Sequence, residues 1–131
     1  FNIVFSGPSK FQPNKKMSEF LQGRDSNILT VEQNPIVAVK KADLIVTDKW
    51  VSMHDDELGK SDLNKLENFR VTRELLDCAK QEVLFMHCLP AEKGQEVSQN
   101  IFEDKRCVAL QEAQNRMHLQ KSILRWCLGL F

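Results

Sequence analysis

The sequence predicts an α/β domain, a parallel sheet flanked by helices in three layers. Two observations carry this. Short apolar runs of strand-forming residues, each stopped by Gly, Pro, Ser or Asp, recur along the chain. The stretches between them place apolar residues at three- and four-residue steps, the spacing of one helix face. Strands that alternate with helices form parallel sheets with right-handed crossovers. In such sheets ligands bind outside the carboxyl ends of the strands, so polar residues at those ends matter most.

The first run, Asn2-Ile3-Val4-Phe5, reads as a buried strand closed by Ser6-Gly7-Pro8. Pro13 opens a helix that sets Met17, Phe20 and Leu21 on one face and ends at the polar stretch from Gly23 to Asn27. Ile28-Leu29-Thr30-Val31 is a second strand. Asn34-Pro35 is an N-cap followed by proline at the first helical position, starting a short helix to about Lys41. Leu44-Ile45-Val46-Thr47 is the third strand, ending at Asp48, and residues 49–60 lack periodicity and read as a loop.

Ser61 and Thr72 are expected caps for helices carrying Leu63 and Leu66, then Leu75, Leu76 and Ala79. Val83-Leu84-Phe85-Met86-His87-Cys88-Leu89-Pro90 is the fourth strand, cut off by its proline. The polar stretch 91–105 is expected to hold a short helix from Glu96 to Phe102. Cys107-Val108-Ala109-Leu110 reads as a fifth strand. Ala113, Met117, Gln120, Ile123, Leu124, Cys127 and Leu130 or Phe131 then mark a long amphipathic helix.

The chain of 131 residues is sized for one domain. Eighteen basic and eighteen acidic residues cancel, which excludes a nucleic acid or anionic membrane held by bulk charge. No apolar run reaches the roughly 20 residues that span a bilayer. The first residues lack the basic and small-residue marks of a signal peptide, and there is no initiator methionine, so the chain reads as a piece of a longer polypeptide. Four scattered cysteines without a CxxC pair fit reduced thiols in a cytoplasmic protein.

Three strand ends carry unusual polar residues: Asp48 to Met53, His87 to Pro90, and Gln111 to Arg116. In a parallel sheet they share one rim and converge on one crevice. Asp48 offers a carboxylate to an ammonium group, or caps its own loop. Ser52 and the Met53 N–H suit a carboxylate, or belong to an ordinary loop beside Trp50. Cys88 is either a packed, inert thiol or a functional one whose pKa His87 lowers. Neighbouring strand residues point to opposite faces, which argues against a direct His87–Cys88 pair. Arg116, expected in the first turn of the last helix, opposes the helix dipole there and so points to anion binding, unless it pairs with Glu112. No cysteine or histidine spacing fits a zinc site, and Asp55-Asp56-Glu57 reads as a solvated loop rather than a cation site.

With those motifs placed, the sequence resembles the aspartate/ornithine carbamoyltransferases, on the ornithine side of the family and in its second, ornithine-binding domain. Asp48-x-Trp50-x-Ser52-Met53, His87-Cys88-Leu89-Pro90 and Ala113-Gln114-Asn115-Arg116 stand where that family has D-x-W-x-S-M-G, H-C-L-P and A-E-N-R, and the likeness runs over nearly the whole chain. It implies a Rossmann-like sheet that lacks its first strand-helix unit here. It implies transfer of a carbamoyl group from carbamoyl phosphate to L-ornithine, giving L-citrulline and phosphate, without a cofactor or metal, in a homotrimer.

By the same resemblance Asp48 and Ser52 bind the α-amino group of ornithine and the Met53 backbone its carboxylate. Cys88 lies beside the side-chain amine, Leu89 and Arg116 contact carbamoyl phosphate, and the loop from Ser52 to about Glu67 closes over ornithine. Asp48, Cys88 and Arg116 are then the expected catalytic residues. His54 replaces the family's loop glycine and Gln114 its glutamate. The phosphate-binding S-T-R-T-R and H-P-x-Q motifs are absent from these residues, so the isolated chain is expected to be inactive. The rival readings are a carbamoyltransferase for putrescine or another amine, and a non-catalytic amino-acid-binding or interaction module.

Overall fold

The computed structural model describes residues 2–22, 28–51 and 60–130. Their elements alternate as an α/β domain requires. β1 (Ile3–Phe5) is followed by α1 (Lys15–Gln22), β2 (Leu29–Val31), α2 (Pro35–Val39) and β3 (Leu44–Thr47). α3 (Lys60–Leu66), α4 (Arg73–Asp77), β4 (Leu84–His87) and the long α5 (Ala109–Cys127) complete the chain, with single 3-10 turns between some of them.

Every strand pairing is parallel, as predicted, but the described strands form two pairs rather than one sheet: β1 with β2, and β3 with β4. The expected fifth strand shrinks to one bridge, Cys107 against Phe85. Ala109 already belongs to α5, since a short apolar run has no periodicity that separates a strand from a helix start. The expected helix from Glu96 to Phe102 is also absent. Val97 bridges Val71 and Lys93 instead, and only Ile101–Glu103 turns helically.

The helix caps follow local chemistry. Asn34 Oδ1 accepts from the N–H groups of Ile36 and Val37, and Pro35 occupies the first turn, where its missing N–H leaves no bond unmade. Thr72 Oγ1 accepts from the Leu75 N–H at 3.2 Å. The start of α1 is set by Asn14, whose Oδ1 accepts from the Met17 N–H, rather than by Pro13. Ser61 lies inside α3 instead of capping it.

The core sits on one side of β3 and β4. Val39, Ile45, Val71, Leu76, Val83, Phe85, Val97 and Ile101 form one buried cluster, with Ala42, Leu75, Ala79 and Phe102 packed against it. Alternation along the strands sends Ile45 and Phe85 into this core, while Leu44, Val46 and Leu84 stand exposed on the other face. Parallel strands are ordinarily covered on both faces. Ile3 and Val4 of β1 are exposed too, so that strand is not the buried one expected, and Met17 and Phe20 of α1 are likewise uncovered. The apolar residues of α5 from Met117 onward are also exposed. No helix among the described residues is long and apolar enough to cross a membrane.

Candidate functional site

The β3–β4 register builds the site. Thr47 stands opposite His87, the last pair of the ladder. One residue further along, Asp48 and Cys88 leave their strands side by side at the carboxyl rim. Alternation turns both away from the core face that His87 shares with Phe85. Cys88 Sγ donates to Asp48 Oδ1 at 2.9 Å, and the Lys49 N–H donates to the same oxygen at 2.7 Å.

This pair reverses one expectation about the thiol. The Asp48 carboxylate accepts a hydrogen bond from the thiol and repels a thiolate, so the Cys88 pKa is pushed up to about 11, against any lowering by His87. Partial burial and the negative charge of Glu112 push the same way. Cys88 is therefore a neutral hydrogen-bond donor near pH 7, not a nucleophile. Asp48 is shifted the other way: the bond from Cys88, then that from the Lys49 N–H, hold its carboxyl below the usual range, and it stays ionised.

Glu112 joins the candidate site through its charge at Cys88, whereas the motifs mark it only as a partner for Arg116. The Phe85 C=O accepts from the Val108 N–H at 2.9 Å, and this pins the start of α5 against β4. Glu112 follows in the first turn of α5, where a carboxylate suits the helix dipole. Its Oε2 is buried and has no hydrogen-bond partner among the described residues. Two carboxylates and a thiol thus gather at the ends of β3 and β4.

His87 departs from the rim. It is fully buried, and its Nε2 lies 3.2 Å from Glu96 Oε1, so it makes no pair with Cys88. The Leu89 N–H donates to His87 Nδ1 at 2.9 Å. Leu89 itself is half-buried, with φ of 50°, and precedes a cis bond to Pro90.

Arg116 does not lie where the sequence placed it. With α5 beginning at Ala109, it falls beyond the first turn, and the dipole argument for an anion lapses. It is exposed and pairs with neither Glu112 nor any other described carboxylate. Trp50 is half-buried at the rim. Ser52, Met53, His54 and the Asp55-Asp56-Glu57 group lie outside the described residues. So does the first half of the loop expected to close, residues 52–59, while 60–66 of that stretch form α3. Among the described residues no group of three or more His, Cys, Asp or Glu is placed to hold a metal ion.

A family model for the Asp/Orn-binding domain of aspartate/ornithine carbamoyltransferases matches residues 1–127. The chain is 42% identical over 130 residues to an ornithine carbamoyltransferase of Ruegeria pomeroyi, a match covering 98% of this chain and 42% of that protein. It is similar in fold to the anabolic ornithine carbamoyltransferase of Campylobacter jejuni, with a TM-score of 0.85 at 27% identity over 100% of this chain and 44% of that one. The enzyme of Pyrococcus furiosus gives a TM-score of 0.81 at 31% identity over 95% of this chain and 41% of its own. The chain thus spans less than half the length of these relatives.

Proposed function

From its membership of the aspartate/ornithine carbamoyltransferase family, to which the chain belongs as an Asp/Orn-binding domain, we propose that it supplies the amino-acid-binding half of an ornithine carbamoyltransferase. The reaction passes the carbamoyl group of carbamoyl phosphate to the side-chain amine of L-ornithine. The neutral amine attacks the carbamoyl carbon, the carbon–oxygen bond to phosphate breaks with its electron pair leaving on phosphate, and the nitrogen sheds a proton to give L-citrulline. The relatives' names support the acceptor, since those quoted above are ornithine carbamoyltransferases.

The observation that carries this reading is the Cys88–Asp48 hydrogen bond at the strand rim. A protonated thiol is not equipped to form an acyl-enzyme. An ionised Asp48, with the Glu112 charge also felt at Cys88, instead suits a cationic amino acid, held by charge-assisted hydrogen bonds. The chain's role is then positioning and charge complementarity for direct transfer. In this reading Ser52 and the Met53 N–H hold the amino-acid end of ornithine, while Leu89 and Arg116 meet carbamoyl phosphate.

The remaining parts come from outside residues 1–131: the carbamoyl-phosphate domain, and a strand joining the β1–β2 and β3–β4 pairs into one sheet. That these pairs stand apart supports the second point. A cytoplasmic homotrimer completes the reading. Its test is acceptor saturation by the intact protein with ornithine, putrescine and lysine. Preference for ornithine is expected, preference for putrescine transfers the reading to another amine, and no transfer to any of the three makes the chain a non-catalytic module.

A further inference from the structure

One ion pair spans the rim beside Cys88 and Asp48. Lys49 follows Asp48 past the end of β3, and Glu92 lies in the turn after Pro90. Lys49 Nζ stands 3.6 Å from Glu92 Oε2, with both side chains partly exposed. The backbone fixes where each begins. The Lys49 N–H donates to Asp48 Oδ1 at 2.7 Å. Glu92 is held at both of its peptide groups: its N–H donates to the Glu96 carboxylate, and its C=O accepts from the Gln95 N–H at 3.0 Å. The turn closes where the Gly94 N–H donates to the Val97 C=O at 2.8 Å, and Gly94, with φ of 92°, sits in a conformation that suits glycine.

The pairing matters because of what Lys49 would do without it. A lysine ammonium is a compact charge on a flexible four-carbon stem, free to choose among carboxylates within its reach. The ionised Asp48 directly precedes it in the chain. Among the described residues, the bonds to Asp48 from Cys88 and from the Lys49 N–H both fall on Oδ1, which leaves Oδ2 open to a further donor. A lysine ammonium there would take the acceptor that an incoming amine needs. Glu92 offers Lys49 a different carboxylate, from a turn whose backbone is already fixed.

We propose that Glu92 is a positioning residue: it draws the Lys49 ammonium across the rim and so keeps the Asp48 carboxylate free for the cationic amine of the acceptor. Glu92 meets no reacting atom; it acts through Lys49. The inference rests on the reading of Asp48 as the amine's partner only where the KM for ornithine is the readout. The Cys88 thiol, bonded to the same Asp48 oxygen, reports the rearrangement without any substrate.

The test is a double-mutant cycle in the intact protein: Glu92→Gln, Lys49→Met, and the two together. In Glu92→Gln, Lys49 is released towards Asp48, and the KM for ornithine is expected to rise about 2- to 5-fold, the scale of one exposed ion pair, with kcat little changed. The rise is expected to shrink in about 1 M salt, where charges more than ~3 Å apart are screened, and to vanish when Lys49→Met is also present. Alkylation of Cys88 against pH, read by mass spectrometry apart from exposed Cys78 and Cys127, follows the same cycle. A lysine ammonium on Asp48 weakens the charge that opposes the thiolate. The profile is therefore expected to move to lower pH in Glu92→Gln, and by more than the same change produces in the Lys49→Met background.

An equal shift of the alkylation profile in both backgrounds would overturn the inference, since Glu92 would then act through its own charge alone. So would a KM that rises equally with and without Lys49→Met. An intact protein that shows the Lys49-dependent shift in alkylation but makes no citrulline overturns the functional reading and leaves the role of Glu92 towards Lys49 standing.

Discussion

Cys88 and Asp48 are hydrogen-bonded, Sγ to Oδ1 at 2.9 Å, because Thr47 and His87 close the β3–β4 ladder in register and leave the next two residues side by side. The contact needs no loop to arrange it, and it fixes the charge of both groups. The thiol stays protonated and the carboxylate ionised, so the rim presents a negative charge and no thiolate nucleophile.

Replacing Asp48 by Asn removes the negative acceptor that raises the thiol. The Cys88 pKa should then fall from about 11 towards the ordinary thiol range. Cys88 should be alkylated faster at pH 8 in Asp48→Asn than in the unsubstituted protein, as measured by peptide-resolved mass spectrometry. An unchanged profile would mean that the bond does not persist in solution.

Cys88→Ser keeps a donor towards Asp48 and Cys88→Ala does not. If the thiol orients the amine, kcat/KM for ornithine should drop less for Ser than for Ala. Were Cys88 a covalent nucleophile, both changes would abolish turnover, and a trapped acyl-enzyme would appear in the unsubstituted protein. Steady-state kinetics of the pair of variants separates the two.

Phe85 is fully buried at the centre of the core and pairs with Ile45 across β3 and β4. Phe85→Ala should cost about 3–5 kcal/mol, the range for deleting a buried aromatic ring. Urea denaturation measures it. Because Phe85 also accepts the Val108 N–H through its backbone, the start of α5 should loosen together with the core.

Asp104 accepts from Arg106 through both carboxylate oxygens, and these bonds, then that from the Arg106 N–H and the Arg106 charge, outweigh the upward push of partial burial and lower its pKa to about 2. A carboxylate depressed on folding stabilises above its unfolded pKa of about 4 and loses that contribution as pH falls towards about 2. The stability gap between the unsubstituted protein and Asp104→Asn should therefore be full at pH 7 and close between about pH 4 and about pH 2. Thermal melts across that range follow it; a gap independent of pH would show that the ion pair is not its source.

The rim was legible in the sequence because its residues stand directly after strand-forming runs: Asp48 after Leu44-Ile45-Val46-Thr47, and Cys88 at the end of Val83 to His87. Asn34 and Thr72 were legible as caps for the same reason, their chemistry being local. What misled was non-local. Cys107-Val108-Ala109-Leu110 has strand-like residues, yet only Cys107 meets a partner, and moving the helix start to Ala109 carried Arg116 out of the first turn. The sequence places Glu96 in a polar helix because a fully buried glutamate is rare, and only tertiary structure reveals its histidine. The exposed faces of β1, β3 and α5 carry sequences written for burial that the described residues do not supply.

The central claim is that Asp48 forms the wall of an amino-acid pocket. Calorimetric titration of the intact protein with L-ornithine, in the presence of saturating carbamoyl phosphate analogue, tests it most directly. Binding heat is expected, with affinity about 10- to 100-fold weaker in Asp48→Asn, the loss of one charge-assisted hydrogen bond. No heat in the unsubstituted protein, or equal affinity in Asp48→Asn, would contradict the account.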